Sequence, residues 1–153
     1  MRSFVLRLSV VTGLSLLAAA LVVAQAQKKA GPSGGAVMKT PSELKWVDVP
    51  DAPKGAQQAV VYGDPQKGAN GSFAKFPAGT EIPLHTHTAG GRSVVISGTM
   101  LEAAEGQKPK ELGPGSYFYL PGGMKHTTAC KAGAECLIYS HWSGAFDMKP
   151  VTP

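Results

Sequence analysis

The sequence predicts an all-β fold, and three observations carry that prediction. Gly and Pro punctuate the whole chain, at 19 and 12 of its 153 residues. Short runs rich in Val, Ile, Phe, Tyr and Thr lie between them, and apolar stripes of helical period are almost absent. Many short strands at this spacing, joined by turn residues, indicate a sandwich or a barrel. The expected strands are 44–49, 59–62, 72–76, 81–87, 93–101, 116–120, 125–130 and 135–142. Glu102-Ala103-Ala104-Glu105 reads equally as a helical turn or as a loop between strands.

The start of the chain belongs to another class of segment. Arg2 and Arg7 supply a positive beginning, an apolar run follows from Leu8 to Val23, and Ala24-Gln25-Ala26 offers the small-residue pattern of a cleavage site. Residues 1–26 are therefore expected to be a signal peptide, cut before Gln27. The rival reading is an uncleaved anchor, but Thr12, Gly13 and Ser15 dilute a run already short for a spanning helix. The mature protein is expected in the periplasm or secreted, with no membrane segment after cleavage. Residues 27–42 are small, polar and glycine-rich, and read as a flexible linker. Residues 43–153 then form one domain, enough for a single core.

Charge excludes one class of partner. The formal charge of +5 falls to +3 when Arg2 and Arg7 are removed, because no acidic residue leaves with them. The remaining basic residues are scattered, and no stripe interleaves them with aromatics, so nucleic acid is not expected to bind. Two cysteines, Cys130 and Cys136, lie close together. In an oxidising compartment that pair reads first as a disulfide.

The candidate chemistry begins with His85 and His87. Two residues apart on one strand, their side chains share a face and offer adjacent positions to a metal ion. A third donor must come from elsewhere in the fold. The flanking residues run Gly79-Thr80-Glu81-Ile82-Pro83-Leu84-His85-Thr86-His87, with Gly98 after the next strand. Farther on, Gly115 precedes Pro121-Gly122-Gly123-Met124-Lys125-His126 by five residues. These two stretches resemble the paired motifs of the cupin superfamily, with every glycine, proline and histidine at its spacing. The likeness runs from about residue 60 to 142.

The resemblance implies a double-stranded β-helix, a jelly-roll barrel, with both motifs lining its interior. It implies one divalent metal ion held by His85, His87 and His126, a small-molecule ligand in the barrel, and a homodimer as the expected assembly. Residues 130–136 and 144–150 further resemble a small exported single-domain cupin family that has no assigned reaction. Two departures bear on the site. The family's glutamate falls at Gly91 and its last asparagine at Cys130. A neutral three-histidine site suits zinc, iron or copper better than manganese, which prefers oxygen donors. The resemblance implies a metal-dependent oxygenase or hydrolase acting on a small chelating molecule, or a non-catalytic module that binds or senses a metal or ligand.

Strand parity places the remaining candidates. With Gly91 inward, Arg92 points outward and is not expected to hold a substrate carboxylate. A hairpin through 131–135 would set Cys130 opposite Cys136, Thr128 opposite Ile138 and His126 opposite Ser140. His141 and Tyr139 then face outward and Trp142 inward. Cys130 shares the parity of His126, so a thiolate ligand competes with the disulfide reading. No acidic residue is placed inside the barrel, and Glu81, at a strand start, is expected in solvent.

Overall fold

Alternation of buried and more exposed side chains, regular on β9 and β10 and broken on others, accompanies two antiparallel sheets. The structure, a computed structural model, describes residues 36–152, and its regular elements lie within the unit Lys39–Pro153. A 3-10 turn at Pro41–Glu43 precedes β1 (Val47–Asp48), β2 (Gln57–Gly63), β3 (Asn70–Phe76), β4 (Glu81–Thr86), β5 (Gly91–Ser97) and β6 (Met100–Ala104). Then follow β7 (Lys110–Leu112), β8 (Tyr117–Leu120), β9 (His126–Cys130), β10 (Cys136–Trp142) and β11 (Lys149–Pro150). One sheet runs β1-β2-β3-β10-β5-β8 and the other β11-β4-β9-β6-β7. This is the expected all-β, double-stranded β-helix.

The two faces of each strand divide the work. On β10, Cys136, Ile138, Ser140 and Trp142 are buried, and the residues between them are only partly so. On β9, His126, Thr128 and Cys130 alternate in the same way. The core cluster gathers Phe76, Ile82, Val95, Met100, Leu112, Ile138 and the two cysteines. Full burial of a side chain such as Val95 or Met100 contributes roughly 1.5–3 kcal/mol. The opposite ends of β9 and β10 carry His126 and Trp142, so the apolar core and the histidines occupy opposite ends of the space between the sheets.

Three expectations need correction. The stretch 93–101 is two strands, broken at Gly98, whose φ of +74° suits glycine. A Cβ there would meet the Glu135 carbonyl at 2.6 Å, so the chain turns tightly beneath the cystine and passes from one sheet to the other. Glu102-Ala103-Ala104 is neither helical turn nor loop but part of β6, paired with both β7 and β9. The hairpin through 131–135 also fails. β9 pairs with β4 and β6, whereas β10 pairs with β3 and β5, so the two strands face each other from opposite sheets. Cys130 and Cys136 are bonded, with Cα atoms 5.8 Å apart, and the bridge ties one sheet to the other.

The signal peptide expected at 1–26 and most of the linker expected at 27–42 lie outside the described residues.

Candidate metal centre

A bulge sets the first two histidines in place. Ile82 pairs with Thr128 and His85 with His126, so three steps along β4 match two along β9. Pro83 stands in that gap, where the missing amide hydrogen costs no ladder bond. The bulge turns His85 inward, and His87 follows two residues on, just past the strand. His126 opens β9 directly opposite His85. Their relative exposures are 3%, 8% and 1%, low enough that none of the three rings is an ordinary surface histidine.

The rings converge. Ring centroids lie 4.2 Å apart for His85 and His126, 4.9 Å for His85 and His87, and 5.2 Å for His87 and His126. One ring nitrogen from each lies within 4.8 Å of the other two. The structure thus brings together the three histidines that the sequence singles out.

Each ring is oriented from behind. His85 Nδ1 faces the Pro83 carbonyl at 2.8 Å, His126 Nδ1 faces the Met124 carbonyl at 3.0 Å, and His87 Nδ1 is hydrogen-bonded to the Asp147 carbonyl. A carbonyl oxygen only accepts, so each Nδ1 carries the proton and donates it. Each Nε2 is left with a free lone pair. His126 Nε2 is buried with no hydrogen-bond partner among the described residues. An orphaned acceptor of that kind costs roughly 1–3 kcal/mol. Burial also opposes protonation: it pushes His85 down to about 4, against the Pro83 hydrogen bond, and lowers His87 and His126 as well. Three neutral imidazoles with one nitrogen each turned toward a common point fit a divalent ion, and the three carbonyls behind them are the outer support such sites use.

The C-terminal segment completes the wall. Asp147 accepts hydrogen bonds from the Thr88 amide at 2.7 Å and hydroxyl at 2.6 Å, which hold the carbonyl that orients His87. Trp142 and Phe146 pack against His87, with centroids at 4.6 and 5.4 Å. Asp147 was not among the sequence candidates, because a carbonyl contact leaves no mark on residue type.

A cavity of about 70 Å³ lies in front of the rings. Its walls are mainly apolar, with Phe76, Ile82, Phe118, Leu120 and Met148 among them. Polar groups sit on both sheets: Ser93 and Ser140 share a hydrogen bond of 2.8 Å on one, and Thr128 and Glu102 lie on the other. Glu102 corrects the expectation of a barrel without an acid. It is only 9% exposed, and burial raises its carboxyl to about 8 against the Thr128 hydrogen bond. The signal was the alternation Met100-x-Glu102, readable only once the break at Gly98 is known.

The other candidates lie elsewhere. Arg92 is exposed, its guanidinium 4.7 Å from the Tyr119 ring centre. His141 shares a hydrogen bond with the Tyr62 hydroxyl on the outer face. Glu81 is exposed as expected. Cys130 is bridged to Cys136, so its thiolate is not available as a ligand.

Comparison with known proteins agrees with this architecture. No curated protein sequence matches the chain. Among solved structures, the polyketide cyclase RemF from Streptomyces resistomycificus shares 16% identity, covering 78% of this chain and 87% of its own, at a TM-score of 0.66. An RmlC-like cupin from Shewanella frigidimarina shares 18% over 72% of this chain and 93% of its own, at 0.59. ChrR, an anti-sigma factor solved with SigE from Rhodobacter sphaeroides, shares 18% over 68% of this chain and 51% of its own, at 0.53. These likenesses show the fold. The family follows from a match to the ChrR cupin-like domain over residues 35–145, most of the chain, and the protein belongs to that cupin family.

Proposed function

We propose that this is an exported, periplasmic or secreted, protein that holds one divalent metal ion through Nε2 of His85, His87 and His126 and uses it to bind and convert a small chelating molecule. One observation carries the reading. All three Nδ1–H groups are tied to backbone carbonyls, so all three lone pairs are committed to one buried point. Neutral nitrogen donors favour zinc, iron or copper over manganese. Such an ion, when bound, supplies Lewis-acid polarisation of a ligand or an activated water.

The protein's own residues supply the rest. The carbonyls of Pro83, Met124 and Asp147 fix the rings, while Trp142 and Phe146 exclude water from the His87 side. Ser93 and Ser140 offer hydroxyls across the cavity. A cavity of about 70 Å³ limits the ligand to a small molecule, since one water position needs roughly 10–15 Å³ on the same measure. The disulfide between Cys130 and Cys136 supports an oxidising compartment and so an exported protein.

A second reading has its own support. The family takes its description from ChrR, and one structural relative is an anti-sigma factor bound to SigE. A metal-dependent binding or sensing module would use the same three histidines without turnover. Elemental analysis of protein matured in its native compartment, together with oxygen uptake and product assays on small chelating acids, separates the two. One equivalent of metal and metal-dependent product support the enzyme; metal-dependent binding without product supports the sensor. Metal content unchanged after combined His85→Ala and His87→Ala replacement would remove both.

A further inference from the structure

Glu102 has a setting that the three histidines do not explain. Among the described residues lining the cavity it is the one acidic side chain, and no lysine or arginine lines the cavity with it. Its Oε2 accepts a hydrogen bond of 2.8 Å from the Thr128 hydroxyl, and among the described residues no donor reaches Oε1. A carboxyl buried without a cation is costly in its charged form, and the cost falls when a positive or donating group arrives. The fold provides for its position at two levels. β6 pairs with β9 so that Glu102 lies opposite Thr128, and Ala104 opposite His126. Glu102 therefore stands on the inward face as the diagonal neighbour of His126 on the adjacent strand, roughly 7–8 Å away.

We propose that Glu102, held by Thr128, is the specificity-determining residue of the cavity and binds a primary amine on the end of the ligand remote from the three histidines. The ligand class is a short, two-ended molecule: a chelating group at the imidazoles and an ammonium a few bonds away, with the apolar walls around the carbons between. The free Oε1 supplies a charge-assisted hydrogen bond to the ammonium, and Ser93 and Ser140 face it from the opposite sheet. This assignment rests on the metal reading only for the chelating end.

Two probes of matched shape test it, 3-aminopropionohydroxamate and butyrohydroxamate, which differ by an amine in place of a methyl group. Calorimetry on the full-length protein purified with its metal is expected to show the amine probe binding at least about tenfold more tightly, as one hydrogen bond to a charged group gives. Glu102→Gln keeps an acceptor for Thr128 and is expected to abolish that difference, and Thr128→Val to reduce it. Equal binding of the two probes by the wild-type protein, no binding of the amine probe, or a preference that survives Glu102→Gln would overturn the proposal. Repeating the titrations after metal removal keeps the two readings apart. If both affinities are untouched by metal removal while the amine preference persists, the metal reading fails and Glu102 stands.

Discussion

A Cβ on Gly91 would stand 2.7 Å from the ring of Trp142. The cupin pattern has a carboxylate at that position, and here an indole occupies the room such a side chain would need. Trp142 is itself fixed between His87 and Phe146, with ring centres at 4.6 and 5.0 Å, so it has little freedom to withdraw. A side chain at position 91 and the aromatic wall beside His87 thus compete for one space.

That coupling gives the first prediction. Gly91→Ala is expected to destabilise the fold by about 1–3 kcal/mol through overpacking. The same replacement in a Trp142→Ala background should cost less, because the obstructing ring is gone. Urea denaturation of the four proteins of the cycle measures the coupling. Additive effects would mean that the ring moves aside freely.

The cystine supports a second. It closes a short loop and joins the sheets, so Cys130→Ala with Cys136→Ala is expected to lower stability by about 2 kcal/mol in the chain-entropy model. Because the bridge lies at the end of β9 away from His126, metal content should not change. Thermal denaturation and elemental analysis of the same preparations read both outcomes. Loss of metal together with the bridge would show that the sheets shift at the far end of the barrel as well.

Much of this was legible in the residues, for identifiable reasons. His85 and His87 are two apart, the first on β4 and the second just past its end, and the period of two brings them to a common face without further knowledge. His126 came from the spacing of the second motif, and the barrel brings it opposite His85. Outward placement of Arg92 followed from alternation beside Gly91, and that of Tyr139 and His141 from alternation counted through the expected hairpin. The pairing of β9 with β10 was misread because short loops suggest hairpins, whereas in this fold the loop at 131–135 crosses between sheets. The parity survived that error, since facing strands and paired strands can share an inward side. Glu102 was hidden by Gly98: with the strand taken to run unbroken to residue 101, the acid fell in a connection. The strands Lys110–Leu112 and Lys149–Pro150 were missed because they are short edge strands with a charged residue or a proline, the composition that also keeps edges from pairing with other chains.

A metal-dependent stability change is the third prediction. An ion that binds only the folded chain stabilises it by mass action. Chelation is therefore expected to lower the melting temperature of the wild-type protein by several degrees. His85→Ala with His87→Ala should melt at one temperature with and without chelator. A wild-type melting curve that does not respond to chelator, in protein shown to contain metal, would place that metal outside the three-histidine site.

The acidity of Glu102 makes the fourth. Its carboxyl is raised from 4.5 to about 8 in the folded chain, chiefly by burial. The folded state then holds a proton that the unfolded state has lost, so stability is full below about 4.5 and falls as pH rises through 8. The slope approaches about 1.4 kcal/mol per pH unit inside that window. The histidines act in the opposite sense. His85 is lowered from 6.5 to about 4, so its contribution is full above 6.5 and is lost as pH falls toward 4. The two effects overlap between about 4.5 and 6.5, and the pH curve of the metal-free wild-type protein alone does not separate them. Glu102→Gln does, because it removes the acid and leaves the histidines in place. The stability of that variant relative to wild type, from urea unfolding of metal-free protein at pH 5, 6.5 and 8, should rise steadily with pH. A constant difference would mean that Glu102 titrates alike in the folded and unfolded chains, and that its carboxyl is solvated in the folded protein.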